Sequence, residues 1–207
     1  MLRILGRSRS INVRKVLWAC DEIGLDYRQE EWGSGGRPTC DPEFLAFNPK
    51  GLVPVLIDGD AVLTESNTIV RYLAARHGRT DLLPAAPLAR ARVEEAMDWQ
   101  ATEFNAAWRV AFQALVRRSP QAGSAAQVAG SLRDWTAMLA LLEAQLARFG
   151  PYACGDAFTV ADIVIGLSVN RWLQAPIDRP AFVAVQRYFE RLRERSAAQR
   201  YLGGDTD

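Results

Sequence analysis

A hydroxyl, an amide and the start of a helix come together near the N-terminus of the sequence. Ser10 stands directly before a helical pattern, and Asn12 follows two residues later. The free N–H groups and the dipole at a helix start favour an anion. A hydroxyl there can donate a hydrogen bond to a bound sulfur and lower the pKa of its thiol. The alternative is that these side chains only cap the helix.

A second helix start carries groups that suit the two ends of an α-amino acid. The carboxylate of Glu65 fits an ammonium group, whereas the hydroxyl of Ser66 and the helix N–H groups fit a carboxylate. A plain serine cap beside a solvated acid is the alternative.

Between these two helix starts, Val53 and Pro54 begin an apolar run. A cis peptide bond at such a proline can present the preceding backbone N–H and C=O to an extended ligand. Trans is the commoner form, so these two residues alone leave the isomer open.

The elements that must hold these residues follow the order β-α-β-α-β-β-α. Alternating or continuous apolar runs predict the strands, and apolar residues at helical spacing predict the helices. Asp58-Gly59 predicts a tight hairpin between the last two strands. The predicted strands are 2–5, 27–32, 53–57 and 61–63, and the predicted helices are 12–23, 43–47 and 65–77.

The rest of the sequence predicts helices alone. A connection at 78–87 carries two prolines, and helices follow at 88–116, at 132–149, at 159–173 and at 181–195. Thr159 and Asp162 have the spacing of a capping box, which we assign to folding. The sequence therefore predicts an α/β domain at 1–77, a linker at 78–87 and an all-helical domain at 88–207.

Composition excludes several classes of protein. The 25 basic residues nearly cancel the 24 acidic ones, so no global field attracts nucleic acid or an anionic membrane. No signal peptide and no run of ~20 apolar residues is evident, which places the protein in the cytoplasm. Lys15 and Lys50 are the only lysines and are candidates for special roles.

The cysteines and the histidine argue against metal and hydrolase chemistry. Cys20, Cys40 and Cys154 are odd in number and widely spaced, so neither a disulfide framework nor a zinc site is indicated. His77 is the only histidine, which argues against a multi-histidine metal site and a Ser-His-Asp triad. We expect no bound metal.

Read together, the motifs resemble those of glutathione transferases, over essentially the whole chain. Ser10, Arg14 and Val16 form an S-x-x-x-[RK]-x-V element that is similar to the serine-type classes theta, delta and phi. The segments NPKGLVPVL, ESNTIVRYLA and FTVADI look like the cis-proline strand, the γ-glutamyl site and the capping box of that family. The resemblance implies a thioredoxin-like N-terminal domain before the all-α domain.

The resemblance also assigns roles to the first-domain residues. Ser10 would stabilise the glutathione thiolate, with Asn12 as the alternative contact to the sulfur. The backbone of Val53 would hold the cysteinyl unit, and Pro54 would be cis.

Three further residues would hold the two ends of the glutathione molecule. Glu65 and Ser66 would bind the γ-glutamyl amino and carboxyl groups, and Lys50 is a candidate for the glycyl carboxylate.

An aromatic stripe in the second domain could form the wall for the second substrate. Phe104, Trp108 and Phe112 recur every four residues, and Trp99 and Arg109 flank them. Arg109 would suit an acidic substrate. A stripe of this kind can equally belong to the hydrophobic core.

These assignments predict an enzyme that conjugates glutathione to small, mostly apolar electrophiles in detoxification, without a metal. Isomerisation with glutathione as a returned cofactor, and reduction of peroxides or mixed disulfides, are alternatives within the same fold. A non-enzymatic binding module is a further alternative. The resemblance implies a two-fold homodimer in which the first domain of one subunit faces the second domain of the other, and no nucleic acid or membrane partner.

Overall fold

The computed structural model describes residues 1–203, and its first part is a four-stranded sheet with helices. The strand order is β2-β1-β3-β4, with β2 parallel to β1 and the other two pairings antiparallel. The predicted β-α-β start and the hairpin are both present. The elements are β1 (Leu2–Leu5), α1 (Ile11–Ile23), β2 (Tyr27–Glu30), α2 (Pro42–Phe47), β3 (Val55–Asp58), β4 (Ala61–Thr64) and α3 (Ser66–Arg76).

The two faces of the sheet bury different clusters, because successive side chains of a strand point to opposite sides. Ile4 and Leu56 face the main core, which includes α1 and α3. The opposite face packs against α2 through a small cluster of Leu5, Trp32, Phe44, Val55 and Ile57. Helix α1 is buried along most of its length because the sheet lies on one side and the helical domain on the other.

Helices make up the second part of the structure. None of the helices within residues 1–203 has the length and apolar character that a membrane crossing requires. The elements are α4 (Pro87–Trp99), a π-helical turn (Gln100–Phe104), α5 (Asn105–Leu115), α6 (Ala125–Phe149), α7 (Val160–Gln174), α8 (Val183–Arg193) and a 3₁₀ turn (Ala198–Arg200).

The connection between α3 and α4 contains neither helix nor strand, but it packs into the core. Leu82 and Leu83 are buried, and the carbonyl of Leu82 accepts a hydrogen bond from the N–H of Val160 at 2.9 Å. The domain limits 1–77, 78–87 and 88–207 stay a prediction.

The helical stretch expected at 88–116 is present and runs without a break from Pro87 to Leu115, but its middle is a π-helical turn that the sequence did not predict. Such a turn holds one extra residue and occurs often at functional sites. Its first residue, Gln100, is fully buried and bonded to side chains from other elements, which local sequence patterns do not reveal. The turn also brings the rings of Trp99 and Phe104, five positions apart, to 5.1 Å.

The predicted capping box of α7 is present. The carboxylate of Asp162 accepts hydrogen bonds from the N–H of Thr159 at 2.7 Å and of Ala153 at 2.8 Å. Burial raises the pKa of Asp162 to about 6, although these hydrogen bonds act in the opposite direction.

Candidate active site

The first strand ends in a tight turn that places Ser10 at the N-terminus of α1. The N–H of Ser10 donates to the carbonyl of Arg7 at 3.1 Å, and the guanidinium of Arg14 donates to the carbonyl of Ser8 at 3.1 Å. Ser10 holds the N-cap position, but its half-buried side chain makes no capping hydrogen bond. Within the described residues, the hydroxyl is therefore not used by the helix and makes no other hydrogen bond, which leaves it for a ligand.

Gly6 allows three elements to approach each other at this turn. A Cβ atom at Gly6 would lie 2.5 Å from Cγ2 of Val13 and 3.0 Å from Cβ of Val53. Its φ of +147° also disfavours any other residue. The absence of a side chain at Gly6 thus brings Val53 against the junction of β1 and α1, close in the chain to Ser10.

The backbone of Val53, next to the junction of β1 and α1, carries polar groups that the fold does not use. The bond between Val53 and Pro54 is cis. Within residues 1–203, no hydrogen bond engages the N–H or the C=O of Val53. Both groups remain available to an extended ligand.

The start of α3 has an unusual backbone conformation. Glu65 has φ 68° and ψ 110°, a region that costs a non-glycine residue about 1–3 kcal/mol and is found mainly at functional sites. The carboxylate of Glu65 is exposed and lies 3.1 Å from Nζ of Lys50. The hydroxyl of Ser66 donates to Oδ1 of Asn12 at 3.4 Å. The two predicted helix starts are therefore joined directly.

The helices differ in how the N–H groups of their first turns are satisfied. Side chains cap α2, α6 and α7 through Asp41, Ser124 and the Thr159 box. The carboxylate of Glu143 serves the start of α8, whereas α1 and α3 have no side-chain cap and no acidic residue in the first turn, a feature that they share with α4. Their N–H groups and positive dipole ends are left for an anionic ligand.

The aromatic stripe is mostly packed into the protein. Phe104 and Phe112 are buried, Trp108 is half-buried and Arg109 is exposed. The guanidinium of Arg171 on α7 lies 4.3 Å from the ring of Trp108 and 4.1 Å from that of Phe112. Trp108 and Arg109 retain access to solvent, as does the half-buried Trp99.

Trp99 lies apart from the first-domain residues. It lines a cavity of about 1020 Å³, together with Glu103, Leu141, Phe149 and Cys154. Neither Ser10 nor Ser66 lines this cavity. The structure thus joins Asn12 to Ser66 and Lys50 to Glu65, whereas Trp99 lines a cavity that neither Ser10 nor Ser66 reaches.

A buried polar network beneath the site was not predicted. Lys15, Asn67 and Gln100 are all buried and are bonded to one another. The scarcity of lysines drew attention to Lys15, whereas nothing in the sequence marked its two partners.

The comparisons with known proteins identify the family of the chain. Family models for the glutathione S-transferase N-terminal and C-terminal domains match residues 5–81 and 125–191. Glutathione S-transferase GstB of Escherichia coli K12 is 37% identical over 204 residues and 98% of either chain. Glutathione S-transferase 3 of Zea mays is 36% identical, over 87% of this chain and 91% of that protein.

A solved structure is similar over the whole chain. The crystal structure of the theta class glutathione S-transferase of Xanthomonas axonopodis pv. citri with glutathione bound has a TM-score of 0.91 and 39% identity. The alignment covers 100% of this chain and 99% of that one.

The mixed four-stranded sheet, the helical domain that follows it and the matches to both domain models together place the chain in the glutathione transferase class of protein. The chain belongs to the glutathione S-transferase family. The predicted family, the fold class and the assignment as a transferase enzyme are confirmed.

Proposed function

We propose that this chain binds reduced glutathione at the starts of α1 and α3 and that Ser10 stabilises its thiolate. The observation that carries the proposal is the hydroxyl of Ser10, which stands at a helix start and makes no capping bond. A hydroxyl donor and a positive dipole end both favour the thiolate over the thiol.

The free groups around Ser10 fit the rest of an extended tripeptide. The unused backbone of Val53 suits the cysteinyl unit, and the Glu65–Ser66 helix start suits the γ-glutamyl amino and carboxyl groups. Lys50 is the candidate for the glycyl carboxylate. Because Lys50 now pairs with Glu65 across exposed surface, its ammonium can be redirected at little cost.

The reaction is the transfer of the sulfur to an electrophilic carbon. The thiol proton passes to solvent, the thiolate forms the new S–C bond, and the leaving group departs with the electron pair of the broken bond. Thiolate stabilisation and proximity supply the acceleration.

The second substrate is a small, mostly apolar electrophile that sits against the helical domain. We assign the accessible wall to Trp108 and Arg109, with Phe104 and Phe112 behind it as packing support. Arg109 would favour substrates that carry an acidic group. Trp99 would take part only through its contact with Phe104.

The proposal extends to a two-fold homodimer in the cytoplasm. Both domains expose large apolar side chains that such an assembly could cover, namely Leu52 and Val62 in the first and Leu141 and Phe149 in the second. Sedimentation at micromolar concentration that gives only a 23.0 kDa species would remove the dimer.

Calorimetric titration with reduced glutathione, followed by a conjugation assay with a generic aryl halide, tests the function. We expect saturable binding and turnover. Binding without turnover would contradict transfer to aryl carbon, and a folded protein that does not bind glutathione would contradict the whole assignment.

A further inference from the structure

A lysine side chain lies buried between the two domains, directly below the start of α3. Lys15 on α1 is only 1% exposed. Its Nζ donates to Oδ1 of Asn67 at 3.0 Å and to Oε1 of Gln100 at 2.9 Å. We call these three residues the interdomain node.

Each partner of Lys15 extends the node into a different element. Asn67 follows Ser66 in the first turn of α3, and its amide donates to the carbonyl of Met97 on α4 at 2.8 Å. Gln100 opens the π-helical turn, and its amide donates to the hydroxyl of Ser168 on α7 at 2.9 Å. The node therefore links the Ser66 helix start to three segments of the helical domain.

The charge of Lys15 has little compensation inside the protein. Its two acceptors are neutral amide oxygens, and a buried charge without an ionic partner is costly. Two charged groups bear on it: Arg171 of α7 disfavours the ammonium, and Glu65 at the start of α3 favours it. Burial, more than either charge, lowers the pKa of Lys15 to about 7.

We propose that Lys15 is a positioning residue for glutathione. The ammonium of Lys15 holds the start of α3 against the helical domain and favours an anionic group beside Ser66. The inference rests on the proposed γ-glutamyl site at Glu65 and Ser66. It adds to that site a buried cation that does not touch the ligand.

A pH dependence of glutathione binding follows. A carboxylate bound beside Ser66 stabilises the Lys15 ammonium, so the complex holds this proton to a higher pH than the free protein. Protons are then taken up on binding near and above pH 7, and affinity falls as pH rises through that range. The neutral amine still donates both hydrogen bonds, but less strongly than the ammonium.

Titration with S-methylglutathione tests this dependence without interference from a thiol that itself titrates. Lys15→Met removes the charge and both hydrogen bonds at similar volume, and Arg187→Met removes an exposed charge from α8 as the control. We expect Lys15→Met to weaken binding about tenfold at pH 6, because the bound carboxylate loses its through-space attraction to the buried ammonium. The loss should shrink by about pH 8.5, and near pH 7, below the titration of the ligand's own amino group, the variant should take up no proton on binding.

A second variant keeps the proposal testable if Lys15→Met does not fold. Gln100→Glu places a carboxylate next to Lys15 and raises the pKa of its ammonium. We expect the inflection in affinity to move to higher pH, which a purely structural role would not produce.

The outcomes separate the inference from the function on which it rests. If the affinity for S-methylglutathione depends on pH in the same way in the wild type, in Lys15→Met and in Gln100→Glu, the role of Lys15 is overturned and the glutathione site stays intact. No binding of S-methylglutathione by the wild type at any pH would overturn the site itself.

Discussion

The hydroxyl of Ser66 donates a hydrogen bond to the amide oxygen of Asn12 at 3.4 Å, and this contact joins the starts of α3 and α1. The two helix starts that would hold opposite parts of glutathione are thus linked before any ligand binds. The link gives Asn12 a role that differs from direct contact with the sulfur.

Substitution of Asn12 separates these two roles. If Asn12 orients Ser66, Asn12→Ala should raise KM for glutathione several-fold and change kcat little, because the γ-glutamyl site loses its support. Steady-state kinetics at varied glutathione measures both constants. A fall in kcat of about 100-fold with an unchanged KM would instead assign Asn12 to the sulfur.

Replacement of Lys50 should affect binding without affecting stability. The pair between Lys50 and Glu65 is 61% and 67% exposed, and exposed pairs contribute little to folding. We expect Lys50→Met to leave the melting temperature unchanged and to raise KM for glutathione. Arg187→Met is the matched surface control. An unchanged KM would remove Lys50 from the glycyl site.

The close approach at Gly6 predicts a large cost for a single methyl group. Gly6→Ala should lower the free energy of unfolding by about 2–4 kcal/mol, because the new Cβ meets Val13 and Val53 and the backbone is strained. Gly35→Ala is the control, since its φ of +84° is also unfavourable but no atom lies within 4 Å. Urea unfolding measures the loss in unfolding free energy of each variant. Equal losses for Gly6→Ala and Gly35→Ala would contradict the packing argument.

The buried ammonium of Lys15 predicts a dependence of stability on pH. The folded pKa of about 7 lies below the ordinary value of 10.5, so the unfolded chain binds more protons between these limits. The cost in folding free energy of burying the ammonium is therefore full below pH 7, and it falls as pH rises above 7. Between pH 7 and pH 10.5, the free energy of unfolding of the wild type should rise, relative to that of Lys15→Met, by up to about 1.4 kcal/mol per pH unit. If the free energy of unfolding changes with pH in the same way in both proteins, a lowered pKa of Lys15 is contradicted.

Much of the fold could be predicted because its signals are local. The apolar spacing of α1, the Asp58-Gly59 hairpin and the Thr159 box each lie within a few residues of the chain. The predicted glutathione residues also came from short motifs. The structure agrees with the elements that carry those motifs.

The π-helical turn and the interdomain node could not be predicted in this way. Gln100 is 85 positions from Lys15 and 68 from Ser168, so the partners that bury its side chain are set only by domain packing. Likewise, amphipathic spacing predicts one buried face for α1, whereas packing on both sides also buries Lys15.

The central claim is that Ser10 stabilises the thiolate of bound glutathione, and the pKa of the bound thiol tests it most directly. Thiolate absorbance of the glutathione complex is followed against pH for the wild type, for Ser10→Ala and for the control Ser8→Ala. We expect a bound thiol pKa well below that of free glutathione in the wild type and in Ser8→Ala. In Ser10→Ala the pKa should rise towards the free value, with a loss of about 100-fold in kcat. A bound thiol pKa and a turnover that are both unchanged in Ser10→Ala would contradict the account.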